Sequence, residues 1–194
     1  MSFRKENKIY VIAEIGVNHN GNMSLAKKLI RAAKKAGSNA VKFQNFSADK
    51  LSTQNAKKAP YQIKNTKSKE SQYSMLKKLE LKEQDYFKLK KFSKKLKIDF
   101  ISSVFDSESI IFLQKKLKIK KIKIPSGELT NFLILKNINL KKYEILLSTG
   151  MGNIKEIVRA INVISKSKIY QFKKNKVKIS NYKMLEKIKK KLTV

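Results

Sequence analysis

The chain has 194 residues, enough for one ordinary domain with a real core and short for two. It has no cysteine, which excludes a disulfide framework and a thiolate metal site, and no run of the roughly 18–20 apolar residues that a membrane helix needs. Its formal charge of +32 is carried almost wholly by lysine, with Arg4, Arg31 and Arg159 as the arginines. Such a charge attracts polyanions, but readers of nucleic acid favour arginine, whose planar fork matches phosphates and guanine edges. The lysines are spread along the helical segments, so a solvated lysine-rich surface is the preferred reading, with a polyanion-binding protein as the alternative. The expected location is cytoplasmic, without a membrane or nucleic-acid partner.

In chain order, residues 9–15 (IYVIAEI) read as a strand and 23–37 as a helix with apolar residues at helical spacing, closed by Gly37. Residues 39–46 (NAVKFQNF) read as a buried strand, and 47–70, polar and carrying Pro60, as a long loop. Helices follow over 71–81 and 83–97, the second with Tyr86, Leu89, Phe92 and Leu96 on one face. Then come a strand over 98–105, a helix over 107–118, a strand over 120–127 stopped by Pro125, a helix over 131–140, a strand over 143–150 and a helix over 153–166. Strand followed by helix, repeated five times, predicts parallel strands with right-handed crossovers. Either a doubly wound open sheet or a (β/α)8 barrel satisfies that pattern.

Polar residues decide between the two. Glu14, Lys42 with Gln44, Ser102 with Ser103, Lys123 with Ser126 and Glu128, and Ser148 with Thr149 stand at or just past successive strand ends. A barrel brings every such end to one mouth, whereas an open sheet focuses a site at one switch point. The expected fold class is therefore α/β of the (β/α)8 TIM-barrel type. Gly16 and Gly21 are spaced like the start of a phosphate loop, but no Gly-Lys-Ser/Thr follows, so that motif is rejected.

A lysine inside a buried strand is costly unless paired, so Lys42 and Lys123 either pair with Glu14 and Glu128 or hold a small polyanion. Ser102, Ser103, Ser126, Ser148 and Thr149 offer neutral donors, and Glu14 and Glu128 can orient a hydroxylated substrate or move protons. The lone His19 has no partner set for a metal in its own loop; orienting that loop and Glu14 is its expected role.

The stretches AEIGVNHNG, AVKFQ, KNTKSKESQYSMLKKLEL, KIPSGELTN and ILLSTGM, in this order over roughly residues 8–165, resemble the sialic acid (N-acetylneuraminate) synthase family. The resemblance implies a TIM barrel followed by a small antifreeze-like domain. It implies condensation of phosphoenolpyruvate with an N-acetylated hexosamine such as N-acetylmannosamine, assisted by a divalent metal, Mn or Mg. Carried over residue by residue, Lys42, Ser103, Lys123, Ser126 and Ser148 would bind phosphoenolpyruvate. Gln44, Glu128 and Asn65 would contact the sugar, Glu14 would act beside the reacting carbons, and Phe105 would wall the pocket. The family's Ser-Thr-Pro-Phe is Ser102-Ser103-Val104-Phe105 here, so the fixed φ of the proline is lost.

The resemblance fades after residue 166. Residues 1–166 are expected to form the N-terminal part of the barrel domain, and 167–194 a divergent lysine-rich tail with a sixth-strand remnant and a helix over 181–192. Tyr182, Leu185, Ile188 and Leu192 would share one face of that helix. The family's metal histidines, its last two strands and its antifreeze-like domain have no counterpart in the sequence. The expectation is therefore impaired stability and catalysis, and a doubtful version of the family's homodimer. An inactive remnant and half of a split synthase are the alternatives.

Overall fold

The computed structural model describes residues 9–66, 68, 70–173 and 176–194. Lys67 and Lys69 of the expected loop, and Lys174 and Asn175 of the tail, lie outside the described residues. Six strands form one parallel sheet: β1 (Ile12–Gly16), β2 (Ala40–Asn45), β3 (Asp99–Val104), β4 (Lys121–Ile124), β5 (Glu144–Leu147) and, from the far end of the tail, β8 (Leu192–Thr193). Neighbouring strands follow the chain without any reversal of order, as in a barrel wall and unlike a doubly wound sheet. Among the described residues, β1 and β8 are the two edges of this sheet.

Helices cover the outer face. α1 (Met23–Lys35) starts because Asn22 accepts from the amides of Ser24 and Leu25 at 2.8 and 3.0 Å, satisfying two orphan donors. It buries Ala26, Ile30 and Ala33, and the chain leaves it through Gly37 at φ +83°. α5 (Glu83–Lys95) buries Tyr86 and Leu89 on the same sheet face. Val41 and Phe43 of β2, Phe100 and Val104 of β3, Ile122 and Ile124 of β4, and Ile145 and Leu147 of β5 join these helices in one core. Period-2 alternation then turns Lys42, Gln44, Ile101, Ser103, Lys121, Lys123 and Leu146 to the opposite, inner face.

Two expectations before the tail need correction. The loop over 47–70 contains two short helices, α2 (Ala48–Leu51) and α3 (Pro60–Thr66). Pro60 opens α3 at a position where its missing N–H costs nothing, and the Gln62 side chain accepts from the Ala59 amide at 2.9 Å. After α4 (Gln72–Leu79), α5 and α6 (Ser107–Ile111, continued by a π-turn over Phe112–Lys116), the helix expected over 131–140 is only α7 (Phe132–Leu135). There the Asn137 side chain donates to the Leu133 carbonyl at 2.9 Å, and the following amides bond three residues back rather than four.

The tail differs most. After α8 (Ile154–Ser165), the Asn162 side chain accepts from the amides of Ile169 and Tyr170 and donates to the Tyr170 carbonyl, at 2.8–3.0 Å. The turned chain forms an antiparallel hairpin, β6 (Tyr170–Lys173) with β7 (Lys176–Ile179), outside the main sheet. α9 (Tyr182–Ile188) is shorter than expected, and the sixth strand of the sheet comes after it, as β8, not before. Tyr182 stands exposed, while Ile188 and Leu192 are buried.

Candidate active site

The inner face of the sheet places the expected residues in register. Glu14 of β1 stands opposite Lys42 of β2; Gln44, two residues on, stands opposite Ser103 of β3, and Ser103 opposite Lys123 of β4. The Lys42 ammonium pairs with the Glu14 carboxylate. Lys42 is 8% exposed and Ser103 2%, while Glu14 opens to solvent. Burial, then the charge of nearby Lys123, pushes Lys42 down to about 8, and burial also lowers Lys123. Two partly desolvated cations within electrostatic reach of each other favour a bound anion, which would stabilise both.

Local backbone geometry makes this packing possible. Gly16 ends β1 at φ +54°, and a Cβ there would lie 3.3 Å from the Glu14 carboxylate and 3.6 Å from the Gln44 amide nitrogen. Gln44 is anchored through its carbonyl, which accepts from the buried Tyr86 hydroxyl at 2.7 Å. His19 in the following turn is 1% exposed and stacks on Phe43 at 5.8 Å. Its Nδ1 accepts from the Gly21 amide at 3.1 Å, and burial lowers its pKa against a smaller opposing effect of the Gly16 carbonyl.

Two further loops meet beside Lys123. After β4, Pro125 starts a 3-10 turn over Ser126–Glu128, and the Ser148 amide donates to the Ile124 carbonyl at 3.0 Å. The Ser126 hydroxyl lies 3.6 Å from where a Gly150 Cβ would be. Ser126 and Ser148 therefore sit on adjoining strand ends. Glu128 accepts from the Asn131 side chain at 2.8 Å, which ties it to the start of α7. Phe105 lies edge-on to Phe46 at 6.3 Å. Asn65 is separate: it stands exposed on α3, within the insertion after β2.

That insertion also carries what the sequence did not announce. A cavity of about 680 Å³ is lined there by Lys57, Lys58, Ile63, Ser68, Glu70 and Ser71, among others, and it lies away from the Lys42–Lys123 register. The Lys58 side chain is 1% exposed and pairs with Glu70 at 3.2 Å. Pro60, which favours the first position of a helix, is the sequence signal for this segment. For catalysis the inner-face register carries more, because it combines buried cations with an exposed carboxylate at strand ends.

The described residues contain no group of three or more His, Asp, Glu or Cys side chains that could hold a metal ion. His19 engages Nδ1 with Gly21 and has no such partner set. The expected divalent metal therefore does not fit these residues. Among the described residues no helix is long and apolar enough to cross a membrane.

Residues 29–176 match the NeuB family. The chain belongs to the NeuB family. An N,N'-diacetyllegionaminic acid synthase from Campylobacter jejuni is 49% identical over 160 residues, covering 82% of this chain and 48% of that protein. One from Legionella pneumophila is 46% identical over 155 residues, covering 80% and 43%. A sialic acid synthetase from Leptospira borgpetersenii, solved in complex with citrate, shares the fold with a TM-score of 0.69 at 25% identity, covering 87% of this chain and 57% of that one. The NeuB assignment and that likeness establish the TIM-barrel type of fold, of which this chain makes up part. The chain spans about half the length of the curated relatives it matches.

Proposed function

We propose that this chain forms the phosphoenolpyruvate-binding part of a sialic acid synthase-type enzyme. The reaction is condensation of phosphoenolpyruvate with an N-acetylated hexosamine such as N-acetylmannosamine, with water consumed and phosphate released. The observation that carries the reading is the pair of partly buried lysines on the inner face at the barrel mouth, Lys42 of β2 and Lys123 of β4, with Ser103 on the strand between them in register with Gln44 and Lys123. Membership of a family whose similar relatives are synthases of nonulosonic acids supports it.

In this reading the phosphate and carboxylate of phosphoenolpyruvate take the ammonium groups of Lys42 and Lys123. Charge-assisted hydrogen bonds of this kind are the strong ones. The hydroxyls of Ser103, Ser126 and Ser148 donate to the remaining oxygens. Anion binding draws Lys42 from its ion pair, and the Glu14 carboxylate is left to accept a proton from the water that attacks the phosphate-bearing carbon. Gln44 and Glu128 orient the sugar hydroxyls or acetamido group. Asn65 is a more remote sugar contact and requires α3 to approach the mouth. No step is assigned to a metal. Residues 1–166 supply the barrel portion together with β8 from the far end of the divergent tail, 167–194, and the protein acts on small molecules in the cytoplasm.

Binding is the direct readout. Millimolar phosphoenolpyruvate is expected to raise the melting temperature, and above its dissociation constant the rise continues with the logarithm of concentration, as for a ligand that binds only the folded state. A melting temperature unmoved by phosphoenolpyruvate would remove the basis of the proposal. Formation of a nonulosonic acid with phosphate release, from phosphoenolpyruvate and N-acetylmannosamine, tests the full reaction.

A further inference from the structure

The pentapeptide KKLKI occurs twice, at residues 94–98 and 115–119. Both copies close a helical segment and feed a strand, β3 and β4 respectively, and those strands are neighbours. Their conformations match. Lys97 and Lys118 each take a left-handed backbone with φ +53°, and the isoleucines that follow, Ile98 and Ile119, are both buried. A left-handed non-glycine residue is uncommon, so the repetition fixes two lysines in the same pose on adjoining strand starts.

Between the two copies lies a cavity of about 260 Å³ at the start of β3 and β4, the end of the barrel wall opposite the mouth. Lys90, Lys94, Lys97, Lys118, Lys120 and Lys121 line it, together with one carboxylate, Asp99. That carboxylate is engaged by Lys121 at 2.8 Å and by the Tyr10 hydroxyl at 2.5 Å. Among the described residues, no carboxylate pairs with Lys90, Lys94, Lys97, Lys118 or Lys120. Lys90 is held in the wall by donating to the carbonyls of Leu117 and Lys118, at 2.6 and 3.3 Å. Burial and the charges of Lys94, Lys118 and Lys120 all lower its pKa, the signature of crowded cations.

We propose that this cleft is an anion site, distinct from the barrel mouth, that takes a compact polyphosphate group. Six lysines line a space far smaller than a nucleic-acid groove, so the ligand is a short phosphate chain, free or as part of a nucleotide. The competing explanation is that these lysines only complement helix C-termini.

The experiment titrates the full chain with tripolyphosphate, ATP and a single-stranded oligonucleotide by calorimetry at fixed salt. Tripolyphosphate is expected to bind saturably, and the double variant Lys97→Gln/Lys118→Gln to weaken it about tenfold, while Lys183→Gln/Lys187→Gln on α9 changes it less than about twofold. Circular dichroism confirms that each variant folds. ATP binding as tightly as tripolyphosphate assigns recognition to the phosphate chain of a nucleotide; ATP binding much more weakly assigns it to the free anion. Absence of saturable binding, equal loss in the α9 control, or preference for the oligonucleotide independent of Lys97 and Lys118 would each overturn the proposal.

Discussion

Lys42 is the residue on which the site turns. Its pKa is pushed down to about 8 from an ordinary 10.5, so between those two values the folded state loses the charge while the unfolded chain still holds the proton. The charged form therefore costs stability below about pH 8, and that cost is relieved as pH rises from about 8 toward 10.5. Anion binding has the opposite dependence. Phosphoenolpyruvate affinity is expected to fall as pH rises through about 8, and an affinity flat from pH 7 to 9.5 would argue against Lys42 as a ligand. Gly16 acts through its backbone. An alanine there must hold φ +54° and push on Glu14, so Gly16→Ala should destabilise by about 1–2 kcal/mol, read from a urea midpoint. Phosphoenolpyruvate binding should weaken with it.

Elements explain how this geometry is held. Below the Lys42–Lys123 layer, Asp99 begins β3 and Lys121 begins β4, and they pair on the inner face with Tyr10 hydrogen-bonded to the same carboxylate. Burial pushes the Asp99 carboxyl up, but the bonds from Lys121 and Tyr10 outweigh it and hold it below the usual range. Its contribution is thus complete above the unfolded value of about 3.9 and is lost as pH falls through the lower folded value. Asp99→Ala should cost about 1–3 kcal/mol at pH 7 and remove part of the acid sensitivity, measured by urea denaturation from pH 7 to pH 3.

Period-2 alternation made the strands and their polar ends legible in the sequence, because a lysine at position 42 between Val41 and Phe43 must take the other face. The insertion after β2 was not legible, since α2 and α3 are too short for helical periodicity to show. The strand and helix of the tail were legible, but the hairpin was not, because one carboxamide, Asn162, caps the turn that leads into it and no periodicity announces a side-chain cap of that kind. What pairs with each buried lysine follows from three-dimensional register alone.

At the scale of the molecule, charge and sheet edges dominate. A formal charge of +32 on 194 residues makes the folded state repel itself, an effect screened within about 10 Å at 0.1 M salt. Raising sodium chloride from 10 mM to 150 mM, a condition chosen for the test, should raise the melting temperature; a fall would show that the ion pairs outweigh the repulsion. Among the described residues β1 is an edge of the sheet, with Val11 half-exposed beside it, and this edge is the feature most open to association once that repulsion is screened. The central claim, that the inner-face register binds phosphoenolpyruvate, is tested most directly by calorimetric titration of the chain and its Lys42→Met and Lys123→Met variants at pH 7. Saturable binding that weakens roughly 10- to 100-fold in each variant is the predicted result, the loss of one charge-assisted hydrogen bond. Binding that is undetectable in the unaltered chain, or unchanged in both variants, would contradict it.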